Sequence, residues 1–291
     1  MRRITRLLKA PRMAGLRRRL ARWLPIAAAA GFALVAYGYL TLPDVRPLAR
    51  VNPATTAFIE LRLAEARAAG RPPRRNQRWV RYERISPHLR RAVLVAEDSA
   101  FWQHDGVDLE QLKESIETNL ERGQLARGAS TITQQLAKNL YLSPARTPMR
   151  KLRELIIARR LEAELSKRRI LELYLNVVEW GDGIYGAEAA SRAYFRKPAS
   201  GLSPSEAALL AGALVNARVL VPSHANARLL RRQRIILARM GSVTPPAPAA
   251  PRSDEPVPAV VTTIERADEP RAQQPAVAPA STEDITTAPP R

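Results

Sequence analysis

The sequence predicts an all-α domain over residues 43–243, carried behind one transmembrane helix at 23–42. Three observations predict it. Apolar residues recur at helical spacing through the middle of the chain, and no run alternates as a half-buried strand would. Cap residues stand just before those apolar runs. Trp23–Leu42 is a stretch of 20 uncharged residues that follows a strongly basic one.

Residues 1–22 hold nine Lys and Arg and no acid. The 20 residues that follow would span about 30 Å as a helix, the thickness of a bilayer's hydrocarbon core. Trp23, Tyr37 and Tyr39 stand near its ends, where amphipathic rings favour the interface. A cleaved signal peptide would carry a shorter apolar region, roughly 7–15 residues. The one-sided basic cluster orients the span with the N-terminus in the cytoplasm, which puts the rest of the chain beyond the cell's inner membrane.

Next, Asn52-Pro53 caps a helix running to Ala69, stopped by Gly70 and Pro72. Ser86-Pro87 opens another that ends in Glu97-Asp98. Asp108 and Gln111 form a capping box for a helix to Gly123, with Val107, Leu109, Leu112, Ile116 and Leu120 on one stripe. That stripe is read either as core or as a face dipping into the outer leaflet. Thr147-Pro148 starts a helix to about Leu165, and Ser166 caps the next. Ser203 with Glu206 is a second capping box, and a basic helix covers Ala227–Met240. Residues 244–291 hold 11 prolines and no periodicity, which predicts a disordered tail.

Composition narrows the chemistry. The chain has 291 residues and no cysteine, which excludes a disulfide framework, a cysteine nucleophile and a thiolate metal site, and its three histidines argue against a multi-histidine one. The net charge of +20 asks for an anionic partner: nucleic acid, membrane surface or phosphorylated substrate. Nine of the basic residues precede the predicted span, where they read as topology signals and anionic-lipid contacts and not as a DNA-binding arm. Nucleic acid is therefore not an expected partner.

Two clusters carry reactive groups. Glu97 sits at the C-terminal end of an apolar helix, beside Phe101 and Trp102. Helix carbonyls and partial burial both disfavour its charged form there, raising its pKa towards the range useful for proton transfer. The plain alternative is a solvated acidic helix end. Further on, Gly128-Ala129-Ser130-Thr131 opens a helix with Gln134, Gln135 and Lys138, followed by Arg146, Arg150, Lys151 and Glu154. Free N–H groups at such a start suit a phosphate, and the alternative is a cap with a solvated basic face. Glu172 stands out as a carboxylate among aliphatic neighbours.

Five runs occur in order: E-D-x-x-F-x-x-H-x-G-x-D from Glu97, G-A-S-T-I-T-Q-Q-x-x-K-N from Gly128, R-K-x-x-E from Arg150, I-L-E-x-Y-L-N from Ile170, and G-x-Y-G-x-x-x-A-A-x-x-Y-F, whose G-x-Y-G starts at Gly183. Together they resemble the peptidoglycan glycosyltransferases of family 51 over about residues 50–242, within it the monofunctional biosynthetic branch, since no serine-x-x-lysine of a transpeptidase follows. The resemblance implies a lysozyme-like helical domain with a small membrane-proximal jaw region. It also implies polymerisation of glycan strands from lipid II, with inversion and release of undecaprenyl pyrophosphate.

On that resemblance, Glu97 matches the general base that deprotonates the acceptor's 4-hydroxyl. Glu172 matches the second carboxylate, which positions substrate or holds cationic groups. Lys138 and Arg146 match cations that stabilise the pyrophosphate, with Arg150 and Lys151 close by. Ser130, Gln134 and Gln135 match polar residues of the substrate cleft, and Asp98, Phe101 and His104 match framing residues. No cofactor is required; a divalent cation such as Mg²⁺ could shield the pyrophosphate, although the sequence offers no dedicated carboxylate cage. The implied partners are lipid II, the growing glycan chain, the membrane, and proteins of the cell-wall synthesis and division machinery. Departures are small: Ala129 where glycine is common, and Val215-Asn216-Ala217 where Pro-Asn-Pro is common. Two alternatives keep the helical domain, a lytic muramidase-like enzyme and a non-catalytic scaffold; neither needs Lys138 beside Arg146.

Overall fold

The computed structural model of the chain describes residues 13–110, 113, 130–145 and 147–242. Several expectations lie outside these residues: Gln111 of the first capping box, Leu112, Ile116 and Leu120 of the apolar stripe, Gly128-Ala129, Arg146, and the tail 244–291.

Helix α1 (Met13–Leu40) begins within the basic segment and runs through most of the uncharged stretch. Trp23, Ile26, Phe32, Tyr37 and Leu40 are all exposed on it. Among the described residues no helix is long and apolar enough to cross a membrane. The span at 23–42 is therefore not shown; the side chains of Leu24, Ala27, Leu34 and Val35, apolar members of that stretch, lie outside the described ones. After α1 the chain joins the domain. Leu42, Val45 and Leu48 enter the core, and Arg153 donates to the Thr41 carbonyl at 3.1 Å.

Helix α2 (Ala57–Ala68) starts later than Asn52-Pro53 predicts. Thr56 is the cap, its hydroxyl accepting from the Ile59 N–H at 3.1 Å, because the Asn52 side chain is engaged elsewhere and accepts from Arg169 at 2.8 Å. Most of the remaining helices match their signals closely: α3 (Pro87–Glu97), α4 (Ile132–Tyr141), α5 (Pro148–Glu164), α6 (Lys167–Val177), α8 (Pro204–Ala213) and α9 (Ala227–Arg239). Helix α7 (Ala187–Phe195) has no side-chain cap and was not anticipated. Ser86, Thr131, Thr147, Ser166 and Asn226 each cap one of the others by accepting a backbone N–H, and Ser203 with Glu206 closes the predicted capping box.

α6 is the hub. Every residue from Ile170 to Val177 is buried, so this helix has no solvent face and must be packed on all sides. α4 packs against α6, α5 and α2, while α3 packs against α8, which in turn packs on α9. One continuous core holds Leu89, Phe101, Ile132, Leu161, Tyr174 and Trp180 together.

The all-α expectation needs one correction. A three-stranded sheet of order β1-β3-β2 joins β1 (Asn76–Gln77), β2 (Glu179–Gly181) and β3 (Ile184–Tyr185), with β3 parallel to β1 and antiparallel to β2. Strands of two or three residues are too short to show a period, which is why the pattern did not reveal them. Backbone approach pins the sheet to α6. Gly186 has φ +84°, and a Cβ there would lie 2.7 Å from the Asn176 carbonyl oxygen, so a side chain is excluded twice over. The Asn176 amide clamps the facing loop, donating to the Val80 carbonyl and accepting from the Val80 N–H, both at 2.9 Å.

Candidate active site

Glu97 is the last residue of α3, and its neighbour Asp98 turns the chain away. Asp98 is buried. Its carboxylate meets His104 Nε2 at 3.0 and 3.1 Å and accepts the Ile132 N–H at 2.9 Å. The Gly106 N–H donates to His104 Nδ1 at 3.1 Å, so the ring's remaining proton sits on Nε2 and is given to Asp98. Two N–H groups at the start of α4 are thus taken within the chain, that of Ile132 by Asp98 and that of Gln134 by the Thr131 hydroxyl at 3.2 Å, as the cap reading expects. Gly128 and Ala129 of the phosphate nest lie outside the described residues.

His104 and Phe101 frame this turn. The Phe101 ring is fully buried under the Lys167 ammonium, which lies 4.5 Å from its centroid and donates to the His104 carbonyl. Lys167 also reaches Glu162 at 2.8 Å, which accepts from the Thr133 hydroxyl at 2.6 Å. The first and second motifs are therefore fixed to each other and to α5 and α6.

Glu97 itself accepts from Gln135 Nε2 at 2.9 Å. Burial pushes its carboxyl above the ordinary value, and Asp98 adds to this. The Gln135 hydrogen bond and the charges of Arg232 and Lys138 oppose it. The predicted direction was right, and burial is the main cause. Gln135 is in turn held by Tyr174, whose hydroxyl donates to its Oε1 at 3.0 Å.

Lys138, one helical turn beyond Gln135 on α4, has no hydrogen-bond or ion-pair partner among the described residues. Burial lowers its pKa, as do the charges of Arg150 and Lys151, against the attraction of Glu154 and Glu97. Those two cations start α5 and are held by the buried carboxylate of Glu154. Lys151 reaches it at 2.5 Å and Arg150 joins the other oxygen. Lys151 also donates to Gln134 Oε1 at 2.9 Å and Ser130 Oγ at 3.2 Å. Ser130 and Gln134 therefore position a cation, and Gln134 is itself buried. Three positive groups converge, and one acid, Glu154, holds two of them.

Glu172 is placed differently from the other predicted residues. Its oxygens accept from the Tyr82 N–H at 2.8 Å and from Arg169. Arg169 continues to the carbonyls of Leu48 and Val51. Its carboxylate holds a cation and a loop, and among the described residues no hydrogen bond or ion pair joins it to Glu97. Among the described residues no three of His, Asp and Glu converge as a metal cage does. With Glu97, Glu154 and Glu172 each taken by protein donors, this donor set does not fit a resident Mg²⁺.

Two neighbours of Glu97 had no role in the sequence analysis. Tyr174 stands in the I-L-E-x-Y-L-N run without an assigned function, and Arg232 is one more charge in a basic helix. The hydrogen bond from Tyr174 to Gln135 and the packing of α9 against α3 reveal them.

Comparison with known proteins follows the same residues. The family model described as Transglycosylase matches residues 65–241. The chain is 50% identical over 196 residues to a biosynthetic peptidoglycan transglycosylase of Laribacter hongkongensis, covering 67% of this chain and 86% of that protein. A protein of the same description from Thiobacillus denitrificans is 46% identical over 231 residues, covering 79% of this chain and 99% of its own. Another, from Aromatoleum aromaticum, is 50% identical over 195 residues.

Proposed function

We propose, from the premise that this chain belongs to the transglycosylase family and is a peptidoglycan glycosyltransferase of cell-wall synthesis, that Glu97 is its base and Lys138 its principal leaving-group cation. One observation carries this assignment. Glu97 and Lys138 act on each other, and their surroundings raise the pKa of Glu97 while lowering that of Lys138. A carboxylate with raised proton affinity can accept a hydroxyl proton near neutral pH. A cation without a hydrogen-bond or ion-pair partner among the described residues can receive an anion.

The mechanism follows from these two groups. Glu97 takes the proton of the 4-hydroxyl on the acceptor lipid II's N-acetylglucosamine. The freed oxygen attacks C1 of the growing chain, the C1–O bond to undecaprenyl pyrophosphate breaks, and the configuration inverts. The departing pyrophosphate carries its negative charge away at neutral pH, so fixed cations serve it better than an acid. Lys138 meets it directly, and Lys151 and Arg150 enlarge the positive field from their seat on Glu154. Arg146 joins this set by its motif position. Glu172 acts at one remove, fixing Arg169 and the backbone at Tyr82.

The substrate is a lipid, and the same reading puts the enzyme at the inner membrane with its catalytic domain on the far side. What supports this is the basic start, the uncharged stretch 23–42, and the apolar side chains that α1 leaves exposed. An anchor would confine enzyme and substrate to one plane and so raise their effective concentration.

The test supplies lipid II to the purified full-length chain. Glycan polymer and free undecaprenyl pyrophosphate are the expected products. Shortening of preformed glycan without polymer would point to the lytic alternative. For the topology, a reporter fused after residue 242 should be active only outside the cytoplasm; cytoplasmic activity would reverse the orientation.

A further inference from the structure

The contact that sets the base leads back to a residue with no assigned role. We propose that Tyr174 is a positioning residue for the transfer: its hydroxyl locks the Gln135 amide in the one orientation that presents NH2 to Glu97. The proposal rests on Glu97 being the base.

A glutamine amide is nearly symmetric in shape, so its partners alone decide which end faces which way. Here they agree. The Tyr174 hydroxyl donates to Oε1 at 3.0 Å, while Nε2 donates to Glu97 Oε2 at 2.9 Å and, more weakly, to the Ser130 carbonyl at 3.4 Å. Turning the amide over would set its oxygen against both the Glu97 carboxylate and the Ser130 carbonyl. It would also leave the phenolic hydrogen without an acceptor among the described residues, inside a core where Tyr174 is fully buried. An unpaired buried polar group is costly, and reversal would create several at once.

The lock matters most once Glu97 has accepted a proton. A neutral carboxyl can donate to an amide oxygen, so Glu97 by itself no longer selects the NH2. Tyr174 keeps the selection. Its own proton is secure, because burial, followed by the charges of Glu97 and Asp98, holds the phenol well above its ordinary value. The groups facing Glu97 are Asp98 at the end of its own helix, Gln135 and Lys138 from α4, Arg232 from α9, and Tyr174 from α6. Of those that favour the ionised base, the Gln135 hydrogen bond is the largest. A fixed amide therefore returns the base to its working state after each transfer.

The experiment measures kcat/KM for lipid II against pH in the full-length wild type, Tyr174→Phe, Gln135→Met and the double variant. Removing the lock or the donor favours protonated Glu97, so the acid limb should move to higher pH in both single variants. The loss should grow towards the acid end, where it exceeds any loss on the plateau by about 3–10-fold. Because Tyr174 acts through Gln135, the double variant should lose no more than Gln135→Met alone. An unmoved limb in Tyr174→Phe, or additive losses in the double, would overturn the proposal. Should Tyr174→Phe fail to fold, Gln135→Met decides: an unmoved limb there overturns it equally. Failure of the underlying assignment looks different, because Glu97→Gln would then keep polymerising.

Discussion

Asp98 Oδ2 lies 2.9 Å from the backbone nitrogen of Ile132, so the residue next to Glu97 also caps the start of the helix that carries Lys138. One carboxylate thereby ties the end of α3 to the start of α4. The same carboxylate accepts the hydrogen bond of His104 Nε2, and both side chains are largely removed from water.

Asp98→Ala should therefore cost stability and alignment together. Loss of a helix cap and of a buried charge-assisted hydrogen bond amounts to about 2–3 kcal/mol. For a domain of this size that is a fall of roughly 5–10 °C in melting temperature. Thermal unfolding checks it, and a variant melting within a degree of wild type would show that the cap is replaceable.

Glu97→Gln should separate stability from activity. Burial holds the folded carboxyl above its ordinary 4.5. The folded chain thus binds this proton more tightly than the unfolded chain does. The associated stability is present below the ordinary carboxylate range and is lost as pH rises through the folded value. A permanently neutral glutamine avoids that loss. The variant should melt above wild type at neutral pH, with the gap closing as the pH falls, and a variant less stable at neutral pH would contradict this.

Lys138→Ala should lower kcat by about 10²–10³, the usual effect of losing one donor aimed at developing charge. Lys138→Arg adds a second reading. Burial lowers the lysine's pKa, so its charge, and activity with it, should fade on the alkaline side earlier than a free lysine would allow. Arginine stays charged and should carry the alkaline limb to higher pH. An unchanged limb would place the alkaline titration elsewhere.

Glu154→Gln should release the two cations it seats. Lys151 is 41% exposed at its side chain and water replaces much of its pairing, but Arg150 and Glu154 are largely buried, so the stability cost should be about 1–2 kcal/mol. Activity should fall more, by about 10-fold or more, because the cations lose their placement. The comparison of kcat loss with melting temperature checks it; equal small effects on both would make Glu154 a surface pair only.

Most of the fold was legible because its signals are local. Ser86, Thr147, Ser166 and Ser203 each stand where a helix then begins, since a cap bond needs only the next few residues. Asn52 misled for the complementary reason: its side chain is claimed by Arg169, 117 positions away. The short strands lacked the length to show a period. At the site, residue type and spacing left Glu97 and Lys138 open to a plain reading, and only the matched motifs assigned them and Gln135. Tyr174, though within a motif, and Arg232 carried no role, because their bearing on Glu97 comes from tertiary contacts, through Gln135 and through α9. Glu172 was legible as an unusual carboxylate, but its partners, Arg169 and the Tyr82 backbone, are set by tertiary contact.

The central claim is that Glu97 removes the acceptor proton during glycan polymerisation. Its most direct test is the initial rate of undecaprenyl pyrophosphate release from lipid II by folded Glu97→Gln against wild type. Loss of the base predicts a fall of about 10²–10⁴-fold with lipid II still bound. A rate within about threefold of wild type, far short of what general-base catalysis supplies, would contradict the assignment.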